Sequence, residues 1–222
     1  MKKKFALIMV TLMAFLATGV KAAEQNYVYH SVTKDVIITL NEKVTIKEDE
    51  IINIISFDNG AIIKTILDFN LATKEWKLHN KGEDTDLTAQ RSDNSIAIKG
   101  DFKGKEITKE LKIGNRPWYQ AWNLSFGRFV LSGRERQEFW TLRESDLKEF
   151  VMVVLREKEE IIELNGEAVE TVKVKVTLNN WMSKFWEVHY WFRKSDGVFL
   201  RCEGANGPPG TPLTVTELVS EI

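Results

Sequence analysis

The 222-residue sequence predicts an all-β fold: an antiparallel barrel or strongly curved sheet, with at most one or two short helical turns. Three observations predict it. Short β-branched and aromatic runs alternate with polar residues along almost the whole chain. Polar, Gly-containing turns separate those runs. No stretch carries the apolar spacing of an amphipathic helix three turns long. A long antiparallel sheet must also manage its edges, and rolling up does so while creating an interior.

Residues 1–22 read as a secretory signal peptide. Lys2, Lys3 and Lys4 form its charged start, Phe5 to Leu16 its apolar segment, and Val20-Lys21-Ala22 a small-residue cleavage pattern, with cutting after Ala22. The apolar run is shorter than the roughly 20 residues a spanning helix needs, and no cysteine follows it for lipid attachment. Residues 23–222 are expected to form a single antiparallel β domain, because no repeat, linker or composition shift divides them. The mature protein is expected in the bacterial periplasm or outside the cell, with no transmembrane segment.

The strand signals then run in order. Tyr27–Val32, Val36–Leu40, Val44–Ile46 and Ile51–Phe57 are short β-branched or aromatic runs. Asp58-Asn59-Gly60 turns the chain into Ala61–Phe69; Trp76–His79, Asp86–Arg91, Ser95–Lys99 and Ile107–Ile113 follow. The aromatic stretch Arg116-Pro117-Trp118-Tyr119-Gln120-Ala121-Trp122 contains a proline and reads as a crossing or loop. Its rings either plug a core or barrel mouth, or form a stacking platform for a sugar or acyl chain. Phe126–Leu131 and Phe139–Leu142 read as strands, and Ser145–Phe150 as a helical turn that Ser145 could cap. Val151–Leu155 is apolar at every position and should be covered on both faces, while Arg156–Glu160 reads as a solvated bend. Asn165-Gly166 turns into Val169–Leu178, with Val172, Val174, Val176 and Leu178 inward and Lys173 and Lys175 outward. Gly204–Pro212 is broken by prolines and glycines, and Leu213–Val219 is the last strand.

Between them, Trp181–Glu203 reads as one long hairpin turning at Ser195-Asp196-Gly197. A three-residue loop, pairing 194 with 198, collects Trp186, Val188, Tyr190, Phe192, Leu200 and Cys202 on one face. On the other face His189 then opposes Glu203, Trp191 opposes Arg201 and Arg193 opposes Phe199, within reach of ion-pair and cation–π contact. That polar face is either a solvated exterior or the wall of a ligand cavity.

Charge and motifs narrow the chemistry. Four lysines lie in the first 22 residues, which leaves 27 basic against 32 acidic residues and a net charge of −5 in the mature chain. An acidic chain with no basic block argues against nucleic acid as a partner. Cys202 is the single cysteine, so no intramolecular disulfide forms, and its apolar face suits a buried thiol. Phosphate-loop, nucleophile-elbow and His-Glu-x-x-His motifs are absent. His30, His79 and His189 have no ligand spacing around them, so neither a metal nor a cofactor is expected.

Arg116-Pro117-Trp118-Tyr119-Gln120, followed by Tyr190-Trp191-Phe192, Asp196-Gly197, Leu200-Arg201 and Glu203-Gly204 with the Gly-Pro-Pro-Gly loop, resembles secreted bacterial β-barrel proteins of unknown function. Their curved-sheet folds are akin to those of lipoprotein carriers. The resemblance spans most of the mature chain and implies no catalytic residues. Unlike lipoproteins, the chain has no cysteine placed for lipidation. The first functional expectation is a binding or carrier protein for an apolar or amphipathic ligand, held by Trp118, Tyr119, Trp122, Trp186, Tyr190 and Phe192. The second is a carbohydrate- or lipid-acting enzyme centred on His189 and Glu203, with Glu187 as the alternative carboxylate for proton transfer and Arg201 or Arg193 holding an anionic group. The third is a ligand-free envelope interaction module with a filled core.

Overall fold

The computed structural model describes residues 23–179, 183, 186–205 and 211–222. The expected signal peptide, Trp181 and the centre of the Gly204–Pro212 loop lie outside them. Eight strands come first: β1 (Ala23–Thr33), β2 (Val36–Ile46), β3 (Ile51–Phe57), β4 (Ile62–Leu67), β5 (Thr73–Asn80), β6 (Thr85–Ser92), β7 (Ser95–Phe102) and β8 (Lys105–Lys112). One helix, α1 (Trp122–Leu131), separates them from β9 (Arg136–Leu142), β10 (Glu149–Leu164), β11 (Glu167–Leu178), β12 (Glu187–Arg193), β13 (Phe199–Ala205) and β14 (Leu213–Glu221). The fourteen strands form one antiparallel sheet. Consecutive strands pair within β1–β8 and within β9–β14, and β1 pairs with β14, so β8 and β9 are the two edges.

The sheet is strongly curved. The crossing segment before α1 hydrogen-bonds to β9 through Tyr119 N–H to the Trp140 carbonyl and Trp140 N–H to the Pro117 carbonyl, both at 2.8 Å. Its Trp118 carbonyl accepts from the Thr73 N–H of β5, also at 2.8 Å. In the strand order β5 and β9 are ten positions apart, which in a flat sheet is about 48 Å. One extended segment touches both, so the sheet must curl until its ends nearly meet. Lys109 Nζ of β8 reaches the Leu147 carbonyl beyond β9 at 3.2 Å, holding the two edges near each other.

Two apolar clusters fill the interior. The larger joins α1 (Phe126, Phe129, Val130) to Phe139, Val174 and Phe192 among others; the smaller gathers Trp76, Leu87, Ile98, Ile113, Trp118 and Leu142. α1 lies on the inner face of the sheet. Its backbone meets the β12–β13 turn so closely that a Cβ on Gly127 would overlap the Gly197 carbonyl oxygen, while Gly197 itself sits at a positive φ of 74°. Only glycine suits both positions.

Three local expectations need correction. Phe126–Leu131 is helix rather than strand: Trp122, Phe126, Phe129 and Val130 repeat at i, i+4, i+7 and i+8, which places them on one helical face, and burying that face outweighs the strand preference of its rings. Arg156–Glu160 continues β10 rather than bending away, with a register shift between Arg156 and Lys158. Its charges are taken up across the sheet, as in the Lys173–Glu157 contact at 3.6 Å and the Lys194–Glu159 pair. The turn after β9 closes from Arg143 to Leu147, through the Leu147 N–H and Arg143 carbonyl at 2.8 Å, without a cap from Ser145.

The hairpin register departs from the expected one only near its turn. His189 opposes Glu203 and Trp191 opposes Arg201 as expected, but a shift between Trp191 and Phe192 sets Phe192 opposite Phe199. Arg193 bonds to the Val198 carbonyl instead, at 2.8 Å, so the loop holds four residues. The bulge buries both Phe199 and Leu200, which strict alternation would place on opposite faces.

Candidate functional site

The curl leaves a partly open cavity of about 240 Å³ between the inner face of the sheet and the start of α1. Tyr29 of β1, Leu40 and Glu42 of β2, and Ile55 of β3 line one side; Tyr190, Phe199, Cys202 and Thr216 line the other. Gln120, Trp122 and Asn123 close over it from the crossing segment and α1. Four rings make a connected wall, with centroids 5.2 Å apart for Tyr29–Phe199, 5.9 Å for Tyr190–Phe199 and 6.1 Å for Trp122–Tyr190.

Each side chain is held from behind. Trp122 donates its indole N–H to the Tyr119 carbonyl at 3.1 Å and packs against Phe126 and Phe139. Gln120 Oε1 accepts from Trp118 Nε1 at 3.1 Å and from Leu142 N at 3.0 Å, while its Nε2 donates to the Leu142 carbonyl at 2.9 Å. That fills the lone pairs of the amide oxygen, anchors one N–H of its nitrogen and fixes the lip of the cavity. Ser125 donates to the Leu71 carbonyl at 2.7 Å, tying the first turn of α1 to the β4–β5 loop.

Glu42 is the chemically distinctive member. It is 2% exposed, yet it carries no opposite charge against it. Asn123 Nδ2 donates to Oε1 at 2.5 Å; among the described residues Oε2 has no hydrogen-bond partner of good geometry. Burial pushes the carboxyl up from 4.5 to about 7, and the nearby Asn123, Tyr29 and Asn53 side chains pull it only partly back. Burial likewise raises the phenols of Tyr29 and Tyr190, and raises the Cys202 thiol from 9.0 to about 11. At neutral pH the cavity therefore holds one group that titrates.

The six aromatic residues singled out in the sequence fall into two places. Trp122 and Tyr190 line the cavity. Trp118 and Phe192 are fully buried in the two apolar clusters, Tyr119 packs beneath against Phe139 with centroids 5.4 Å apart, and Trp186 donates to the Ala205 carbonyl at 3.1 Å. His189, Glu203 and Arg201 lie on the strand face opposite Tyr190 and Cys202. There His189 Nδ1 meets Glu157 at 3.0 Å, and Arg201 bridges Glu203 at 3.0 Å and Glu217 at 2.8 Å. Trp191 shares that face, with Lys173 and Arg201 over its ring at 4.9 and 5.5 Å. This face does not converge on the cavity.

Sequence reading missed Glu42. It divides β2 into Val36–Leu40 and Val44–Ile46 around the polar residues 41–43. Taken as one strand, Val36–Ile46 places Glu42 in phase with Leu40 and Val44, on the inward side.

A barrel-like antiparallel sheet with an aromatic cavity is the class this architecture defines. No protein-family model matches the sequence, and no curated protein matches it. Among solved structures, a β-barrel-like protein of the domain of unknown function DUF1849 from Brucella abortus is similar over 91% of this chain and 98% of its own, at 10% identity and a TM-score of 0.61. That likeness shows the fold. The hypothetical lipoprotein YmcC from Escherichia coli covers 99% of this chain and 97% of its own at 10% identity and a TM-score of 0.45. A LolA superfamily protein from Nitrosomonas europaea covers 97% and 92% at 9% identity and a TM-score of 0.28. The last two are too distant to carry an argument. The DUF1849 protein is a barrel-like protein of the kind the sequence resembles.

Proposed function

We propose that this protein binds or carries an apolar or amphipathic ligand in the periplasm or outside the cell, and that the ligand enters the cavity between α1 and β1–β3. The observation that carries the reading is the cavity itself: an aromatic hollow that stays open although two apolar clusters fill the rest of the interior. The charged start, apolar segment and small-residue site of residues 1–22 support export, with residues 23–222 as one domain. Trp122, Tyr190, Tyr29 and Phe199 supply the contact area.

Size limits what enters. A cavity of about 150 Å³ accepts benzene, so about 240 Å³ takes a group roughly half again as large. Drug-sized ligands occupy about 300–1,000 Å³, so this cavity receives one end of a longer molecule. The test is native mass spectrometry of the secreted protein purified from a bacterial periplasm without detergent. Excess mass that is released on denaturation and lost in a Trp122→Ala variant is expected. A uniformly bare mass, with no uptake of added apolar compounds, counts against the reading and favours an interaction module with no ligand.

A further inference from the structure

We infer that the cavity selects ligands whose buried end carries an ammonium group, with Glu42 as its counter-ion. The inference rests on the carrier reading and specifies its ligand. Among the residues lining the cavity there is no Lys, Arg or His, and the single carboxylic acid is Glu42. An anionic head would therefore enter a site with no counter-charge, beside a carboxyl group, which is unfavourable.

A cation meets the opposite conditions. Oε1 is engaged by Asn123, and Oε2 is buried without a partner of good geometry, an unusual state for a side chain 2% exposed. Glu42 lines the cavity, so a rotation of its carboxyl toward the hollow lets an N–H donor from a ligand satisfy that oxygen. Tyr29, Phe199, Tyr190 and Trp122 present a continuous aromatic wall, and ring faces attract cations more strongly when water is excluded. The remaining polar groups offer little competition. The Gln120 oxygen already accepts from Trp118 and Leu142 and its nitrogen donates to the Leu142 carbonyl, which leaves one neutral N–H, and the Thr216 hydroxyl already donates to Ser31 at 3.0 Å. Tyr29, Tyr190 and Cys202, the other titratable groups facing the cavity from β1, β12 and β13, are all raised by burial and stay neutral near pH 7.

The experiment is isothermal titration calorimetry of the mature chain at pH 8 with n-octylammonium, n-octanol and n-octanoate. These probes share one chain and differ in head charge. At this pH the ammonium stays protonated, as a lysine does with a pKa of about 10.4. The expected result is at least tenfold tighter binding of octylammonium than of octanol, with octanoate weakest. Glu42→Gln should abolish that preference, leaving octylammonium no tighter than octanol, and a near-ultraviolet circular dichroism spectrum that matches wild type shows that the variant is folded. A second measurement needs no variant. At pH 7, titrations in buffers of different ionisation enthalpy should show octylammonium releasing about half a proton from Glu42 and octanol releasing none. Octanoate binding as tightly as octylammonium, equal binding of octanol and octylammonium, or a preference that survives Glu42→Gln overturns the inference but leaves the carrier reading standing. Failure of all three probes to bind removes both.

Discussion

Replacing Glu42 by glutamine should change how the stability of the protein depends on pH. In the unfolded chain this carboxyl titrates at 4.5; in the folded protein burial raises it to about 7. Between those values the folded state holds a proton that the unfolded state has released. The stability from the neutral carboxyl is therefore complete below pH 4.5, falls as pH rises, and is gone above about 7. Each pKa unit corresponds to about 1.36 kcal/mol, so wild type should lose about 3 kcal/mol between pH 4.5 and pH 8 through this group alone. Glutamine has nearly the same shape, its amide oxygen can still accept from Asn123, and it does not titrate. Urea denaturation at pH 4.5, 6 and 8, read by near-ultraviolet circular dichroism, gives the free energies by linear extrapolation. The difference between variant and wild type, which cancels every other titrating group, should rise in favour of the variant by about 3 kcal/mol across that range. A difference that stays flat with pH would refute the reasoning, because Glu42 would then be as well solvated folded as unfolded.

Two further outcomes follow from the same geometry. Gly127→Ala places a Cβ against the Gly197 carbonyl and forces α1 off the β12–β13 turn; overpacking of this kind should lower stability by about 2–3 kcal/mol, seen as a fall in Tm of several degrees with no change in fold class by circular dichroism. Because burial lifts the Cys202 thiol from 9.0 to about 11, its thiolate at pH 7.5 is about a hundredfold scarcer than in the unfolded chain. Iodoacetamide labelling followed by mass spectrometry should accordingly be about a hundred times slower in buffer than in 8 M urea, and equal rates would show an open, solvated thiol.

The strands were legible because each carries its own signal. Val172, Val174 and Val176 alternate with lysines, and the structure buries all three valines. The polar turns likewise fall where their residues place them, as at Asn165-Gly166, with φ of 53° and 81°. What stayed hidden depends on partners far away in the sequence. Charges in Arg156–Glu160 sit inside a strand because lysines of β11 and of the β12–β13 turn receive them. Phe199 turns inward because a bulge lets two large apolar residues share burial. Glu42 is buried because Asn123 of α1, 81 residues on, reaches back to it. Neither alternation nor propensity reports a contact of that kind. Trp122 and Tyr190 were readable as aromatic concentrations, but which rings face a hollow and which fill a core depends on how tightly the sheet curls.

The pairing of β1 with β14 bears on the order of folding. Every other strand pair joins sequence neighbours, so two meanders, β1–β8 and β9–β14, can each form from short-range contacts as the chain becomes available. The seam between them sets Thr33 against Thr214 and Val32 against Val215. Such distant pairing is slow, because loop closure precedes any gain from contact. Until the last strand is delivered, β1 is an unpaired edge in a half-built sheet. An exported chain would meet that stage outside the cytoplasm, where a temporary partner for the open edge guards against aggregation more directly than any change to the finished core.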